Sequence, residues 1–271
     1  MLNTKRKILF FDIDGTLITN DGKRTFPESA KKALRMAREN GHLTYINTGR
    51  VYANVEDFIK EGFDGLVCGC GTYICAGENE LFHHKLDKAT CYDIAKLCRD
   101  CNMFAIFEHT GHTAYDEVLL KSGKAEKGFL EILDYFTSMG RKMIASIDDD
   151  EFIFDKFAAW YNTDISDLEK FKEGIGDTFI YIQREGDFCE IIPKGFTKAT
   201  GIKFLLDYYD IPIENAYAFG DSNNDLDMLK YVPNSIAMGV STDAVLEVAS
   251  YHTTDVMEDG IYNAMKHLEI I

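Results

Sequence analysis

Positive charge is scarce in this chain. Its 271 residues carry 29 Lys and Arg against 45 Asp and Glu, a formal net charge of −16. That deficit argues against nucleic acid as a partner, because no basic stripe exists to neutralise phosphates. It argues equally against an anionic membrane surface. Long apolar runs are lacking too: no stretch approaches the ~18 apolar residues of a spanning helix, so a soluble, cytoplasmic protein is expected. Seven cysteines, an odd number, suit a reducing compartment better than a disulfide framework. No internal repeat or low-complexity tract is found. A phosphate ligand is still allowed, since a metal ion and a few local cations can reverse the field inside one cleft.

What is present begins with Lys7–Ile18. Four apolar residues, Ile8 to Phe11, end at Asp12 and Asp14, followed by Gly15 and Thr16. An unbroken apolar run reads as a strand buried on both faces, the parallel-sheet pattern, and chemistry in open α/β sheets collects beyond the carboxyl ends of strands. Strand and helix signals then alternate as far as Leu66-Val67-Cys68: a polar flap at Thr19 to Arg24, a helix from Pro27 to Gly41, a strand at Leu43 to Ile46 and a helix from Tyr52 to Lys60. A hairpin at Tyr73–Cys75 and Leu81–His83 follows. The rhythm changes near residue 84. Helical stripes at Ile94, Leu97, Cys98 and Cys101 and at Phe129, Ile132, Leu133 and Phe136 mix with segments at Met103–Phe107 and Thr113–Glu117. Those two segments read as half-exposed antiparallel strands. A further helix, Ile165 to Lys172, precedes a hairpin (Phe179–Ile182, Phe188–Ile192) turned at Glu185-Gly186-Asp187. The alternation resumes at Lys198, with a buried strand at Ala216–Phe219. The expected fold is therefore α/β, a doubly wound, Rossmann-like parallel-sheet core of residues 1–82 and 190–271. An α+β domain of residues 83–189 is inserted into it.

Four polar signals each follow a buried strand or open a helix: Asp12 with Asp14, Thr48, Lys198, and Asp221 with Asp225. One parallel sheet would bring them together. Carboxylate oxygens with a carbonyl and water make a hard site for Mg²⁺; zinc would want Cys or His, and none flanks these turns. A hard cation beside a lysine and backbone N–H groups suits a phosphoryl group. No Ser–His or Cys–His pair stands at these ends, so the nucleophile is a carboxylate: Asp12 attacks, while Asp14 protonates the departing oxygen and then deprotonates water. Plainer readings stand beside these. Thr48 could cap a helix, Asp225 could face a helix dipole, Lys194 competes with Lys198, and Arg50 could touch substrate or pair with a carboxylate. Cys98-x-x-Cys101, with Cys91 before it, is read as packing.

Asp12-Ile13-Asp14-Gly15-Thr16, Thr48-Gly49-Arg50, Lys198 and Gly220-Asp221-Ser222-Asn223-Asn224-Asp225 resemble the four motifs of the haloacid dehalogenase superfamily. The insert resembles the type II-B α/β cap of its Cof-like subfamily. One departure is Gly69-Cys70-Gly71, where relatives commonly carry Asn-Gly. The resemblance implies a phosphatase with Asp12 as nucleophile and Asp14 as general acid/base. Thr48, Gly49, Lys198 and Asn224 would hold the phosphoryl group. Mg²⁺ would be bound by Asp12, the backbone carbonyl of Asp14 and Asp221, with Asp225 supporting. It implies small phosphomonoesters such as sugar phosphates as substrates, selected by the cap. A phosphotransferase or mutase using the same aspartyl intermediate is the alternative within this chemistry. A non-hydrolytic phospho-acceptor module is the alternative outside it.

Overall fold

The computed structural model describes residues 6–184 and 186–271, so Glu185 of the expected turn lies outside the described residues. The elements in chain order are β1 (Ile8–Phe11), α1 (Glu28–Glu39), β2 (Leu43–Asn47), β3 (Gly65–Cys68), β4 (Tyr73–Ala76) and β5 (Asn79–His83). Then come α2 (Lys88–Asp100), β6 (Met103–Glu108), β7 (Thr113–Tyr115), α3 (Glu117–Leu120), α4 (Lys127–Ser138), β8 (Met143–Ile144) and β9 (Lys156–Tyr161). They continue with α5 (Leu168–Ile175), β10 (Phe179–Gln183), β11 (Phe188–Pro193), α6 (Lys198–Tyr209) and β12 (Ala216–Gly220). The last are α7 (Leu226–Tyr231), β13 (Asn234–Ala237), α8 (Asp243–Val248), β14 (Tyr251–His252) and α9 (Gly260–His267). Among the described residues no helix is long and apolar enough to cross a membrane.

The chain divides into two compact units. Among the described residues, the first comprises 6–50, 55–83 and 196–271, and the second 51–54, 84–184 and 186–195. The return to the first unit falls after Gly195 rather than at 190, because β11 pairs with both β9 and β10. A break at 189/190 would cut that strand.

The first unit is built on an eight-stranded sheet in the order β14-β13-β12-β1-β2-β3-β4-β5. From β14 to β3 the strands run parallel, and β4 and β5 form an antiparallel hairpin at one edge. This is the α/β, doubly wound arrangement that the alternating pattern predicts. β1 lies between β12 and β2, and all four of its side chains are fully buried. A central strand touches apolar neighbours on both faces, which is why its run is unbroken. Ile8 and Phe10 pack with Ile202, Leu205 and Leu229 of α6 and α7. The alternate residue Phe11 points the other way and stacks on Phe219 at 4.6 Å. In α1 the helical spacing of Ala30, Ala33, Leu34 and Ala37 puts all four in the core.

The second unit carries a six-stranded sheet in the order β10-β11-β9-β6-β7-β8. Asp87 and Asp167 cap α2 and α5 by accepting from the backbone N–H groups of Thr90 (2.9 Å) and Lys170 (3.1 Å). Both faces of this sheet are covered. Phe107, Phe157 and Cys189 pack with Cys91, Cys98 and Phe171 of α2 and α5. Phe104 and Trp160 pack with Phe129, Leu133 and Phe136 of α4. Hence β6 is buried along its whole length, not half-exposed as its sequence suggests. The predicted helix over Tyr52–Lys60 is also corrected. It is two short 3₁₀ turns, Tyr52–Asn54 and Glu56–Ile59, broken where Val55 takes a non-helical φ of −143°.

Candidate active site

In the first unit the sheet brings the strand ends together. Asp12 follows β1 directly, and its N–H donates to the Phe219 carbonyl of β12 at 3.0 Å. Its carboxylate is thereby fixed beside the turn after β12. Gly15 has φ +82°, and a Cβ there would lie 2.5 Å from Asp221 Oδ2. Both backbone and space therefore demand glycine. Thr16 Oγ1 donates to Asp221 Oδ1 at 2.8 Å. At the end of β2, Thr48 is buried, and its Oγ1 accepts from the Arg50 N–H at 3.2 Å.

Lys198 is the first residue of α6. Thr197 caps that helix through a reciprocal pair of bonds with Thr200. The lysine stem is buried, and Nζ donates to Asp12 Oδ1 at 2.5 Å and Asp225 Oδ1 at 2.6 Å. Asp225 uses its other oxygen, Oδ2, to accept from the N–H groups of Asp221 and Ser222, each at 3.0 Å. It thus ties the loop after β12 to the lysine. Asn224 is exposed on that loop, and its Oδ1 accepts from Ser222 Oγ at 2.5 Å. Lys194, the rival of Lys198, sits instead in the second unit and pairs with Asp177 at 3.1 Å.

These placements set the electrostatics. Asp12, Asp221 and Asp225 are all buried, and their ligand oxygens lie within 4.8 Å of one another. One ammonium faces three carboxylates, so two negative charges are left uncompensated. Burial, followed by the neighbouring carboxylates, pushes Asp12 up to about 7 and Asp221 up to about 8. For Lys198, burial pushes the ammonium down, but Asp12 and Asp225 overrule it and hold its pKa above the ordinary lysine value. A divalent cation would relieve that imbalance. The donors are all carboxylate oxygens, with no Cys or His among them, and this hard set fits Mg²⁺ better than zinc.

The chain matches the family of haloacid dehalogenase-like hydrolases over residues 9–265. It belongs to that family. Two curated relatives from Bacillus subtilis align along nearly their whole length. The phosphatase YwpJ is 27% identical over 97% of this chain and 99% of its own. The 5-amino-6-(5-phospho-D-ribitylamino)uracil phosphatase YitU is 24% identical over 98% of each chain. Among solved structures, a haloacid dehalogenase subclass IIB sugar phosphatase superposes with a TM-score of 0.77 at 26% identity, covering 98% of this chain and 100% of that one.

As a haloacid dehalogenase-like hydrolase, the chain carries two site residues to which the sequence reading gave no role. Thr16 orients Asp221, and its place inside the first motif was the available signal. Asn47, fully buried at the end of β2, donates through Nδ2 to the Lys198 carbonyl at 2.9 Å and fastens the start of α6 to the sheet. Nothing in its local sequence marks it. The second unit holds a separate charged group. Lys156 Nζ lies 3.3 Å from Glu190 and 3.4 Å from Glu108, and Arg184 pairs with Glu190. Burial raises Glu108, whereas the two cations overcome burial at Glu190 and hold it at about 2.

Proposed function

We propose that this hydrolase is a Mg²⁺-dependent phosphatase of small phosphomonoesters, acting through an aspartyl-phosphate on Asp12. The observation that carries this reading is the buried convergence of Asp12, Asp221 and Asp225, with Lys198 bonded to the first and the last of them. Family membership and the phosphatase names of the relatives support it. Those names include a sugar phosphatase and a ribitylamino compound, which favours a phosphorylated sugar or polyol. The unit of residues 84–195 is read as the cap that selects the substrate.

In this reading Asp12, the backbone carbonyl of Asp14 and Asp221 would hold Mg²⁺, with Asp225 behind them. Bound there, the ion neutralises charge on the phosphoryl oxygens. The remaining work falls to the chain. A carboxylate oxygen of Asp12 attacks phosphorus and the bond to the ester oxygen breaks, its electron pair staying on that oxygen. Asp14 delivers a proton to it. Asp14 then takes a proton from water, which attacks the aspartyl-phosphate and restores Asp12. Lys198 holds the Asp12 carboxylate in line and adds positive charge beside the transferring group. The Thr48 hydroxyl and the Gly49 N–H are read as phosphoryl donors, with Asn224 nearby, and Asp225 as the group that aims Lys198.

The test is Asp12→Asn, which keeps the shape and removes the nucleophile. With Mg²⁺ and an aryl phosphate, phosphate release should vanish while circular dichroism stays unchanged. An Asp12→Asn protein that still turns over would refute the assignment. Adding acceptor alcohols to the wild-type assay separates hydrolysis from transfer to an acceptor.

A further inference from the structure

Arg50 ends the Thr48-Gly49-Arg50 motif, and its side chain is engaged elsewhere in the first unit. Nε donates to Asp14 Oδ2 at 3.0 Å, and one terminal nitrogen lies 2.6 Å from both Oδ1 and Oδ2 of the same carboxylate. The backbone of Arg50 is held as well, by its N–H to Thr48 Oγ1 (3.2 Å) and its carbonyl from the Gly69 N–H (2.8 Å). Asp14, by contrast, is one of the more exposed acids here, with about a third of its side chain accessible (36%). It sits on the turn that Gly15 makes at φ +82°. A short side chain on such a turn has several rotamers open to it, and a bidentate guanidinium fixes the plane of a carboxylate where a point charge would not.

We propose that Arg50 is a positioning residue for Asp14: it aims the acid/base carboxylate at the departing oxygen and does not itself carry the phosphoryl group. The inference rests on the phosphatase reading above. The Asp12 oxygen–phosphorus bond forms, the phosphorus–ester oxygen bond breaks, and the carboxyl proton of Asp14 moves to that oxygen. Asp14 is left as a carboxylate in the fork of Arg50, oriented to take a proton from water in the second step.

Leaving-group chemistry separates this role from phosphate binding. An alkyl oxygen must be protonated to depart, whereas p-nitrophenolate leaves as the anion. Misaiming a general acid costs on the order of 10²-fold, and only where the acid is needed. The experiment measures kcat/KM, which reports the steps up to transfer onto Asp12, for a sugar phosphate and for p-nitrophenyl phosphate. Arg50→Ala should lose about 10²-fold on the sugar phosphate and less than about 5-fold on the aryl ester. In an Asp14→Asn background, Arg50→Ala should cost nothing further on the sugar phosphate, since residues acting as one unit are not additive. Arg50→Lys, which preserves charge and stem, should show the same substrate split and guards against misfolding of the alanine variant. Equal losses on both esters, or full additivity with Asp14→Asn, would overturn the proposal and give Arg50 to the phosphoryl group. Unchanged kinetics in both Arg50 variants would leave the ion pair idle and overturn it too. A wild-type protein inert towards both esters would instead sink the phosphatase reading, and the role of Arg50 with it.

Discussion

Replacing Lys198 by Met tests the buried cluster on which the site depends. The substitution keeps most of the stem and deletes the ammonium. In the native protein the lysine side chain is 1% exposed, and its partners Asp12 and Asp225 are 7% and 0% exposed. Removing one partner of a buried ion pair costs about 3–5 kcal/mol, because the charge left behind has neither water nor a counter-ion. Here two carboxylates, Asp12 and Asp225, would lose the same partner, which points to the upper part of that range. One of them has an escape. Asp12 already titrates at about 7 with the lysine present, and without it the value moves higher. Near pH 6 a proton can therefore replace the ammonium, and the loss should shrink; near pH 8 it should be largest. The assay is urea unfolding of the metal-free protein followed by far-ultraviolet circular dichroism. With a slope of about 2 kcal/mol/M, the midpoint should fall by about 1.5–2.5 M at high pH. Turnover should drop by on the order of 10²–10³, the cost of one oxyanion-type donor. Lys194→Met is the control: its pair with Asp177 is largely exposed, so it should cost less than about 1 kcal/mol. A Lys198→Met protein that unfolds with the Lys194→Met protein at every pH would refute the reasoning.

Three further outcomes follow from the same geometry. Asp12 and Asp221 titrate at about 7 and about 8, above their ordinary values, so the folded metal-free protein holds protons that the unfolded chain has released. Its stability should therefore fall as pH rises from about 4 to about 8 and level off beyond. The Tm gain from adding Mg²⁺ should grow over the same window, so differential scanning fluorimetry should show a larger shift near pH 8.5 than near pH 5.5; a pH-independent shift would count against metal binding at these carboxylates. Gly15→Ala should pay about 1–2 kcal/mol for its backbone conformation. It should also push Asp221 aside, since the new Cβ falls 2.5 Å from Oδ2. The expected result is a folded protein whose Tm no longer responds to Mg²⁺, and a retained response would show that Asp221 is dispensable.

Where the sequence was transparent, one environment dictated each residue. Ile8 to Phe11 are apolar at every position because β1 has strands on both sides and side chains packed on both faces, and that demand is visible without any partner. β6 meets the same demand, fully buried between α2 and α5 on one face and α4 on the other. The segment Met103–Phe107 reads as half-exposed because the helices that cover its two faces come from separate parts of the chain and show only in the fold. The stretch Tyr52–Lys60 failed for a different reason. Val55, Phe58 and Ile59 keep helical spacing, but the chain leaves the first unit at Val51 and returns at Val55, so tertiary position broke a pattern that local propensity supported.

The site itself divides along a similar line. The residues at strand ends were legible because topology alone gathers them, whereas Arg50 on Asp14 and Thr16 on Asp221 are choices of side-chain geometry between segments far apart in sequence. Lys198 over Lys194 was the borderline case. The pair of threonines at 197 and 200 marks a capped helix start, and a capped start fixes the backbone of the next residue firmly enough to hold a buried ammonium. A lysine at the end of β11 has no such restraint and pairs at the surface. The buried charges of the first unit at Asp12, Lys198, Asp221 and Asp225 are places where apolar logic is broken and the fold gives up stability. A divalent cation held among Asp12, Asp221 and Asp225, as proposed, would offset their mutual repulsion.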